Sequence, residues 1–120
     1  MCIRDRSYID DTRLRLVPGF FSDSLTPSLP KKAKMRPASY VDIDSDLYSS
    51  TLQALDWMAT HGLIVQGTVI SYDDWRVSAE ASGGEARAHK EILMDKHGFR
   101  LHPLPGCHPC LLYTSPSPRD

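Results

Sequence analysis

The sequence lacks the features that mark several large classes of protein. No run of apolar residues approaches the roughly 18 that a membrane-spanning helix requires. The chain has 14 basic and 15 acidic residues and a net charge of −1, so no basic excess indicates nucleic-acid binding. Three cysteines in 120 residues are too few for a disulfide scaffold. We therefore expect one globular domain in the cytoplasm, with neither a membrane nor a nucleic acid as partner.

The sequence also lacks the usual motifs for phosphate binding and for nucleophilic catalysis. Its seven glycines form neither a Gly-x-Gly-x-x-Gly nor a Walker pattern, and Gly83-Gly84 is an isolated pair. No Ser-His-Asp arrangement can be placed. The residues His102, Cys107, His108 and Cys110 superficially resemble zinc ligands. Cys110, however, lies in a terminal segment for which we predict a different origin, which weakens the case for zinc.

Both ends of the chain resemble translated adapter DNA. A single short DNA element, read from opposite strands, can encode both Met1–Arg6 and Cys110–Ser115, as a sequencing adapter flanking a metagenomic insert would. We therefore expect residues 1–6 and 110–120 to be adapter-derived and the latter to be disordered. Residues 7–109 would then form a partial domain. The alternative is a short N-terminal arm and a disordered tail rich in proline and serine.

Hydrophobic patterning in the central part of the chain predicts alternating strands and helices. An apolar stripe between Leu47 and Ala59 predicts a helix, which Ser49 or Ser50 would cap and His61-Gly62 would end. The other predicted elements are strands at Leu14–Val17, Ala38–Asp44, Gly67–Tyr72 and Phe99–Leu104, a short helix at Lys31–Met35, and a helix at Glu85–His97 ended by Gly98. This order predicts an α/β fold built from crossover units.

Acidic residues cluster at the ends of two predicted strands. Asp42, Asp44 and Asp46 accompany the end of one strand, and Asp73 and Asp74 follow the next. The carboxyl ends of adjacent parallel strands meet at one edge of the sheet, where ligands bind. Converging carboxylates repel one another, and a divalent cation such as Mg²⁺ removes that cost. The alternative is that these residues only form turns and cap helices, the role that we expect for Asp46.

The histidines and tryptophans give weaker predictions. We expect surface positions for His61 at a helix end and for His89 and His97 on the later helix. Trp57 is expected to pack in the interior. Trp75 directly follows the acidic pair and either packs or lines a pocket.

Three motifs together resemble one family of enzymes. Gly19–Leu25 resembles a Gly-x-Phe-x-Asp-Thr-Leu stretch, and Asp44–Thr51 resembles an Asp-x-Asp-Leu-Tyr-x-Ser-Thr signature. Gly67–Trp75 is similar to a strand that ends in Asp-Asp-aromatic. These motifs belong to the macrocin O-methyltransferase-like enzymes, which are class I S-adenosylmethionine-dependent methyltransferases. The three motifs occur in the same order as in the family, and the resemblance covers roughly residues 14–104.

The resemblance implies the later half of a Rossmann-like methyltransferase sheet. It also implies Mg²⁺-assisted transfer of a methyl group from S-adenosylmethionine to a hydroxyl of a small molecule, such as a sugar or another polyol. Asp44, Asp73 and Asp74 would be the metal ligands, and the resemblance leaves open whether Asp44 is instead the catalytic base. Ser24 replaces the family's threonine, and the family's Asp/Glu-x-Gly-x-Gly cofactor loop does not occur in this sequence. We therefore expect methyl transfer to belong to a longer parent enzyme and this fragment alone to be inactive.

The residues leave two other functions open. A metal-dependent glycosyltransferase would use an Asp-x-Asp element, either Asp42-Ile43-Asp44 or Asp44-Ser45-Asp46, to hold Mn²⁺ and a nucleotide sugar. That function does not account for Asp73-Asp74-Trp75. The remaining alternative is a non-enzymatic α/β interaction module whose carboxylates are only caps.

Overall fold

The computed structural model describes residues 11–45, 47–73, 75, 84–104 and 111–115 of the chain. Its strands form one four-stranded sheet in the order β1-β2-β4-β3. The elements are α1 (Phe21–Ser24), α2 (Leu29–Lys32), β1 (Tyr40–Ile43), α3 (Tyr48–Thr60), β2 (Val69–Tyr72), α4 (Gly84–Ala88), a π-helix (His89–Lys96), β3 (Arg100–Pro103) and β4 (Leu111–Ser115).

The predicted crossover unit is present. Strands β1 and β2 pair in parallel, with Tyr40 opposite Val69 and Ile43 opposite Tyr72. Helix α3 connects them and packs against α4 and the π-helix. The α/β fold class is thereby confirmed. Because the two strands run in the same direction, the residues that follow Ile43 and Tyr72 emerge at the same edge of the sheet.

The other half of the sheet is antiparallel. Strand β4 lies between β2 and β3 and pairs antiparallel with both. Disorder was expected for residues 110–120, and the structure differs from that expectation in Leu111–Ser115, which form β4. The physical reason is that β2 and β3 both present a strand edge whose backbone groups can pair with an extended segment of any origin. The adapter origin of these residues stays a prediction.

Helix α3 has the predicted length but begins differently. Leu47 occupies the N-cap position in an extended conformation and forms no side-chain cap hydrogen bond, so the prediction of a serine cap was wrong. At the other end, Gly62 has φ +69°, the left-handed conformation that commonly ends helices. The helix buries Thr51, Ala54 and Leu55 along one face.

The hydrophobic core lies between the β1–β2 half of the sheet and the helices α3, α4 and the π-helix. Leu55, Ile70, Ala88 and Leu93 have no exposed surface at all. The complete core cluster consists of Ile43, Leu55, Ile64, Ile70, Tyr72, Ala88, Ile92 and Leu93. Tyr72 is the one polar-tipped side chain of that cluster, and it lies at the last position of β2, next to the acidic edge.

The first part of the chain differs from the sequence-based expectation. Residues 14–17 form no strand in the structure and do not pair with β1, the edge strand of the sheet, so the alternating pattern alone did not make them a strand. The helix expected at Lys31–Met35 is instead α2, and α1 was not anticipated. A cavity of about 520 Å³ lies between residues 14–17 and α2. Within the described ranges, no helix is long and apolar enough to cross a membrane.

Candidate active site

Asp44 and Asp73 occupy matching positions at the carboxyl edge of the parallel pair. Each residue directly follows its strand, β1 for Asp44 and β2 for Asp73. The backbone N–H of Asp73 donates to the carbonyl of Ile43 at 3.0 Å, which extends the strand pairing by one step. Neighbouring strands lie about 4.8 Å apart. The two residues therefore lie at neighbouring positions of the sheet edge, and both are exposed to solvent.

Exposure alternates along the end of β1. Asp42 and Asp44 are exposed, and Ile43 between them is buried. Asp46 and Asp74 lie outside the described residues, and so does the expected role of Asp46 as a cap.

The turn after β1 is held by contacts to the helix that it precedes. The hydroxyls of Ser45 and Thr51 form a hydrogen bond of 2.8 Å. Thr51 is fully buried in the first turn of α3. The Leu47 N–H donates to the carbonyl of Ser45, and the Thr51 N–H donates to the carbonyl of Leu47. All of these contacts lie within a few residues of Asp44 in the sequence.

The turn after β2 is held by residues distant in sequence. The Tyr72 hydroxyl and Nδ1 of His89 form a buried hydrogen bond of 2.7 Å. The rings of Tyr72, Trp75 and His89 contact one another in all three pairs, with centroid distances of 5.1 to 5.4 Å. Trp75 meets His89 edge to face, with an interplanar angle of 85°. This ring triad brackets the acidic pair, because Tyr72 precedes Asp73 and Trp75 follows Asp74.

Burial keeps the polar members of this cluster uncharged at neutral pH. Desolvation lowers the pKa of His89 to about 4, so its imidazole is neutral. Desolvation, and then the nearby charge of Glu85, raises the pKa of Tyr72 far above its ordinary value. The Glu85 carboxyl is itself fully buried. The interior beneath the second turn, formed by Tyr72, Glu85 and His89, is thus polar but closed to water.

Two surface clusters attach α3 to the helical segments beside it. The Tyr48 hydroxyl donates to Glu91, and the Arg87 guanidinium lies 4.6 Å from the centre of the Tyr48 ring while its Nε donates to Glu91. At the other end, Asp56 accepts hydrogen bonds from Lys96 and contacts Nε2 of His97 at 2.8 Å. These contacts fix the orientation of the helix that carries His89 relative to α3.

Two of the three expected metal ligands, Asp44 and Asp73, lie among the described residues, and their chemistry suits a hard cation. Asp44 and Asp73 supply carboxylate oxygens, the ligand type that Mg²⁺ prefers. Among the residues that the structure describes, no group of three His, Cys, Asp or Glu side chains is close enough to hold a metal ion. The third expected ligand, Asp74, lies outside those residues, and so do Cys107, His108 and Cys110 of the superficial zinc pattern.

Sequence reasoning missed the buried cluster around His89. A surface position was expected for His89, and that was wrong, since only 4% of the residue is exposed. His97 is half-buried against Asp56, and His61 packs against Trp57 at 5.5 Å. A usable signal was present: positions 85, 88, 89, 92 and 93 form one helical stripe and are all buried. A glutamate and a histidine on an otherwise apolar stripe indicate buried polar groups.

The comparison with known families identifies the chain. Residues 5–95 match the family described as macrocin O-methyltransferase (TylF). The chain belongs to the macrocin O-methyltransferase family. The resemblance inferred from the three motifs is therefore confirmed. Within this family's match, the first motif forms α1 and its flanks, the second spans the end of β1 and the start of α3, and the third contains β2.

A solved structure shares the fold of this macrocin O-methyltransferase family member. The apo structure of CalS11, a TDP-rhamnose 3'-O-methyltransferase in calicheamicin biosynthesis, matches with a TM-score of 0.56 and 21% sequence identity. The match covers 81% of this chain and 38% of that chain. The chain thus spans less than half the length of that enzyme, and the likeness concerns the fold. No curated protein matches the sequence.

Proposed function

We propose that the chain carries the acceptor side of an S-adenosylmethionine-dependent O-methyltransferase that methylates a hydroxyl of a sugar or another polyol with the help of Mg²⁺. The observation that most directly supports this proposal is that Asp44 and Asp73 lie at neighbouring positions of the carboxyl edge of the parallel pair. Both residues lie within the family match. The fold shared with a TDP-rhamnose 3'-O-methyltransferase supports a sugar as the acceptor class.

Asp44, Asp73 and Asp74 are the proposed metal ligands. Their carboxylates would hold the cation at the sheet edge, where an acceptor hydroxyl can approach from solvent. A bound Mg²⁺ lowers the pKa of a hydroxyl that it coordinates and orients its oxygen. In the alternative, Asp44 does not bind the metal, and its carboxylate would accept the proton of that hydroxyl instead.

The reaction then needs mostly alignment. S-adenosylmethionine, when bound, would supply the methyl group: the acceptor hydroxyl would lose its proton to a base, a C–O bond would form as the C–S bond broke, and the products would be a methyl ether and S-adenosylhomocysteine. The part of Asp44 and Asp73 would be to fix the acceptor in place.

The glycosyltransferase and interaction-module alternatives have less support. The family match includes the Asp-x-Asp element and the Asp73-Asp74-Trp75 segment together. A glycosyltransferase would use only the first of these, and a module whose carboxylates are caps would need neither at the same edge.

A melting experiment with Mg²⁺ tests the metal assignment. We expect millimolar Mg²⁺ to raise the melting temperature of the chain, because a ligand that binds only the folded state stabilises it by about 1.4 kcal/mol at ten times its Kd. Asp73→Asn should abolish this rise, since the amide removes one charged ligand.

Asp95→Asn is the matched control. Asp95 is an exposed carboxylate on the π-helix, and its replacement removes the same charge from a different surface. This variant should keep the full response to Mg²⁺. An equal response of Asp73→Asn and the original chain would contradict the proposed metal site.

A further inference from the structure

His89 stands at an unusual point of the fold. The helical segment changes from α to π geometry at this residue, and π-helical turns frequently occur at functional sites. The imidazole is buried against the rings of Tyr72 and Trp75, next to the hydrophobic core. Burying a polar group costs free energy unless it is hydrogen-bonded. The bond to the Tyr72 hydroxyl meets that requirement for Nδ1.

The contacts of His89 converge on both flanks of Asp73. One is the hydrogen bond to Tyr72, the residue directly before Asp73. Another is the edge-to-face contact with Trp75, two residues after it. Tyr72 and Trp75 also touch each other at 5.1 Å between ring centroids. A single imidazole therefore restrains the chain on both sides of an exposed carboxylate.

We propose that His89 is a positioning residue, which holds the Asp73 carboxylate at the sheet edge through its contacts with Tyr72 and Trp75. The inference rests on the proposed function, in which Asp73 binds Mg²⁺. Mg²⁺ demands nearly ideal octahedral geometry at about 2.0–2.1 Å, so a ligand on a loose turn binds poorly. Residues that orient metal ligands typically change metal affinity by about 10- to 100-fold when they are replaced.

The backbone of Asp73 offers a readout that needs no metal. Its N–H is bonded to the carbonyl of Ile43, whereas the N–H of Val69, at the other end of β2, is bonded to the carbonyl of Ser39. A general loss of stability would accelerate hydrogen exchange at both amides. Loss of positioning would accelerate exchange at Asp73 much more than at Val69, because only the turn opens.

The experiment uses the full chain, labelled with ¹⁵N, at pH 7. His89→Leu fills the buried position with an apolar side chain and removes both the hydrogen bond to Tyr72 and the aromatic ring. We expect exchange at Asp73 to rise about tenfold relative to Val69, and the Kd for Mg²⁺, read from the Asp73 amide shift, to rise about tenfold as well. His89→Asn restores a group that can bond to the Tyr72 hydroxyl and should recover part of both effects.

Two controls separate the possible outcomes. His61→Asn alters a histidine that packs against Trp57 at the end of α3, away from the helix that carries His89, and should change neither readout. If His89→Leu does not fold, Tyr72→Phe removes only the hydroxyl and should show the same change at Asp73 to a smaller extent.

The two proposals fail in different ways. Suppose that the original chain binds Mg²⁺, and that His89→Leu (or Tyr72→Phe in its place) has the same Asp73-to-Val69 exchange ratio and the same Kd for Mg²⁺ as the original chain. The positioning role is then wrong and the metal site stands. If the Asp73 amide of the original chain does not respond to Mg²⁺, the proposed metal site is wrong, and the role of His89 in holding a metal ligand is overturned with it.

Discussion

The two acidic turns present the same chemistry but are held in different ways. Asp44 follows β1, and its turn is secured by Ser45 and Thr51, six residues apart in the sequence. Asp73 follows β2, and its turn is secured through Tyr72 by His89, 17 residues further along the chain. The first is a local arrangement within one strand–helix unit. The second depends on a helix that packs against the sheet from elsewhere.

This difference separates two ways of ordering a site. A local contact forms whenever its own strand and helix form, and it restrains few atoms. The ring triad of Tyr72, Trp75 and His89 exists only when α4 and the π-helix are docked, and it buries large aromatic surfaces. The first turn should therefore tolerate small changes, whereas the second should respond strongly to changes in packing.

The largest effect is expected when the triad is removed. Tyr72→Ala deletes an aromatic side chain that is 99% buried and leaves Nδ1 of His89 without its bond. We expect the free energy of unfolding to fall by about 3–5 kcal/mol. Urea denaturation of the two proteins measures this loss. A decrease below about 1 kcal/mol would show that the triad contributes little to the fold.

The second effect is a pH dependence that involves only the second turn. The pKa of His89 is lowered from 6.5 to about 4 in the folded chain, so the unfolded chain takes up this proton first as the pH falls. Stability is complete above pH 6.5 and is lost progressively down to pH 4, by about 3 kcal/mol in all. Glu91 and Asp56 have lowered pKa values, and their contributions are lost only below about pH 4.5 and 3.8.

The variant His89→Asn isolates this dependence. Denaturation between pH 7 and 5 should show a clear decline for the original chain and a nearly flat response for the variant, since asparagine does not titrate. Parallel curves for the two proteins would assign the decline to a group other than His89.

The smallest effect is expected in the first turn. Thr51→Val removes one hydroxyl from a buried position and keeps the shape of the side chain. Ser45 is only half-buried and can bond to water instead, so we expect a loss of about 1 kcal/mol in the free energy of unfolding. Urea denaturation measures it, and a loss as large as that of Tyr72→Ala would remove the distinction between the two turns.

Much of the fold and part of the site were predictable from local patterns. The apolar stripe of α3 and the glycine at its end follow from side-chain spacing and from backbone geometry at Gly62. The alternation of Asp42, Ile43 and Asp44 follows from the period of a strand. The neighbouring positions of Asp44 and Asp73 follow from the parallel pairing of consecutive strands. The first two features depend on a few adjacent residues, and the third depends on one strand–helix–strand unit.

The remaining features could not be predicted in the same way. Residues 14–17 have the composition of a strand, but they pair with no strand of the described sheet, although β1 has an open edge. Leu111–Ser115 were expected to be disordered, but two open edges accept them as β4. Pairing depends on which edges are left open after the rest of the chain has packed, and local sequence does not encode that.

The acidic residues, the family motifs and the strand–helix–strand unit that brings Asp44 and Asp73 to one edge all follow from local patterns in the amino-acid sequence. The burial of His89, its neutral state and its bond to Tyr72 arise only when the helix packs against the sheet. The physical reason is that the environment of a side chain depends on what packs over it. A histidine on a helical stripe faces water or the core according to where the helix docks, and docking is a property of the whole chain.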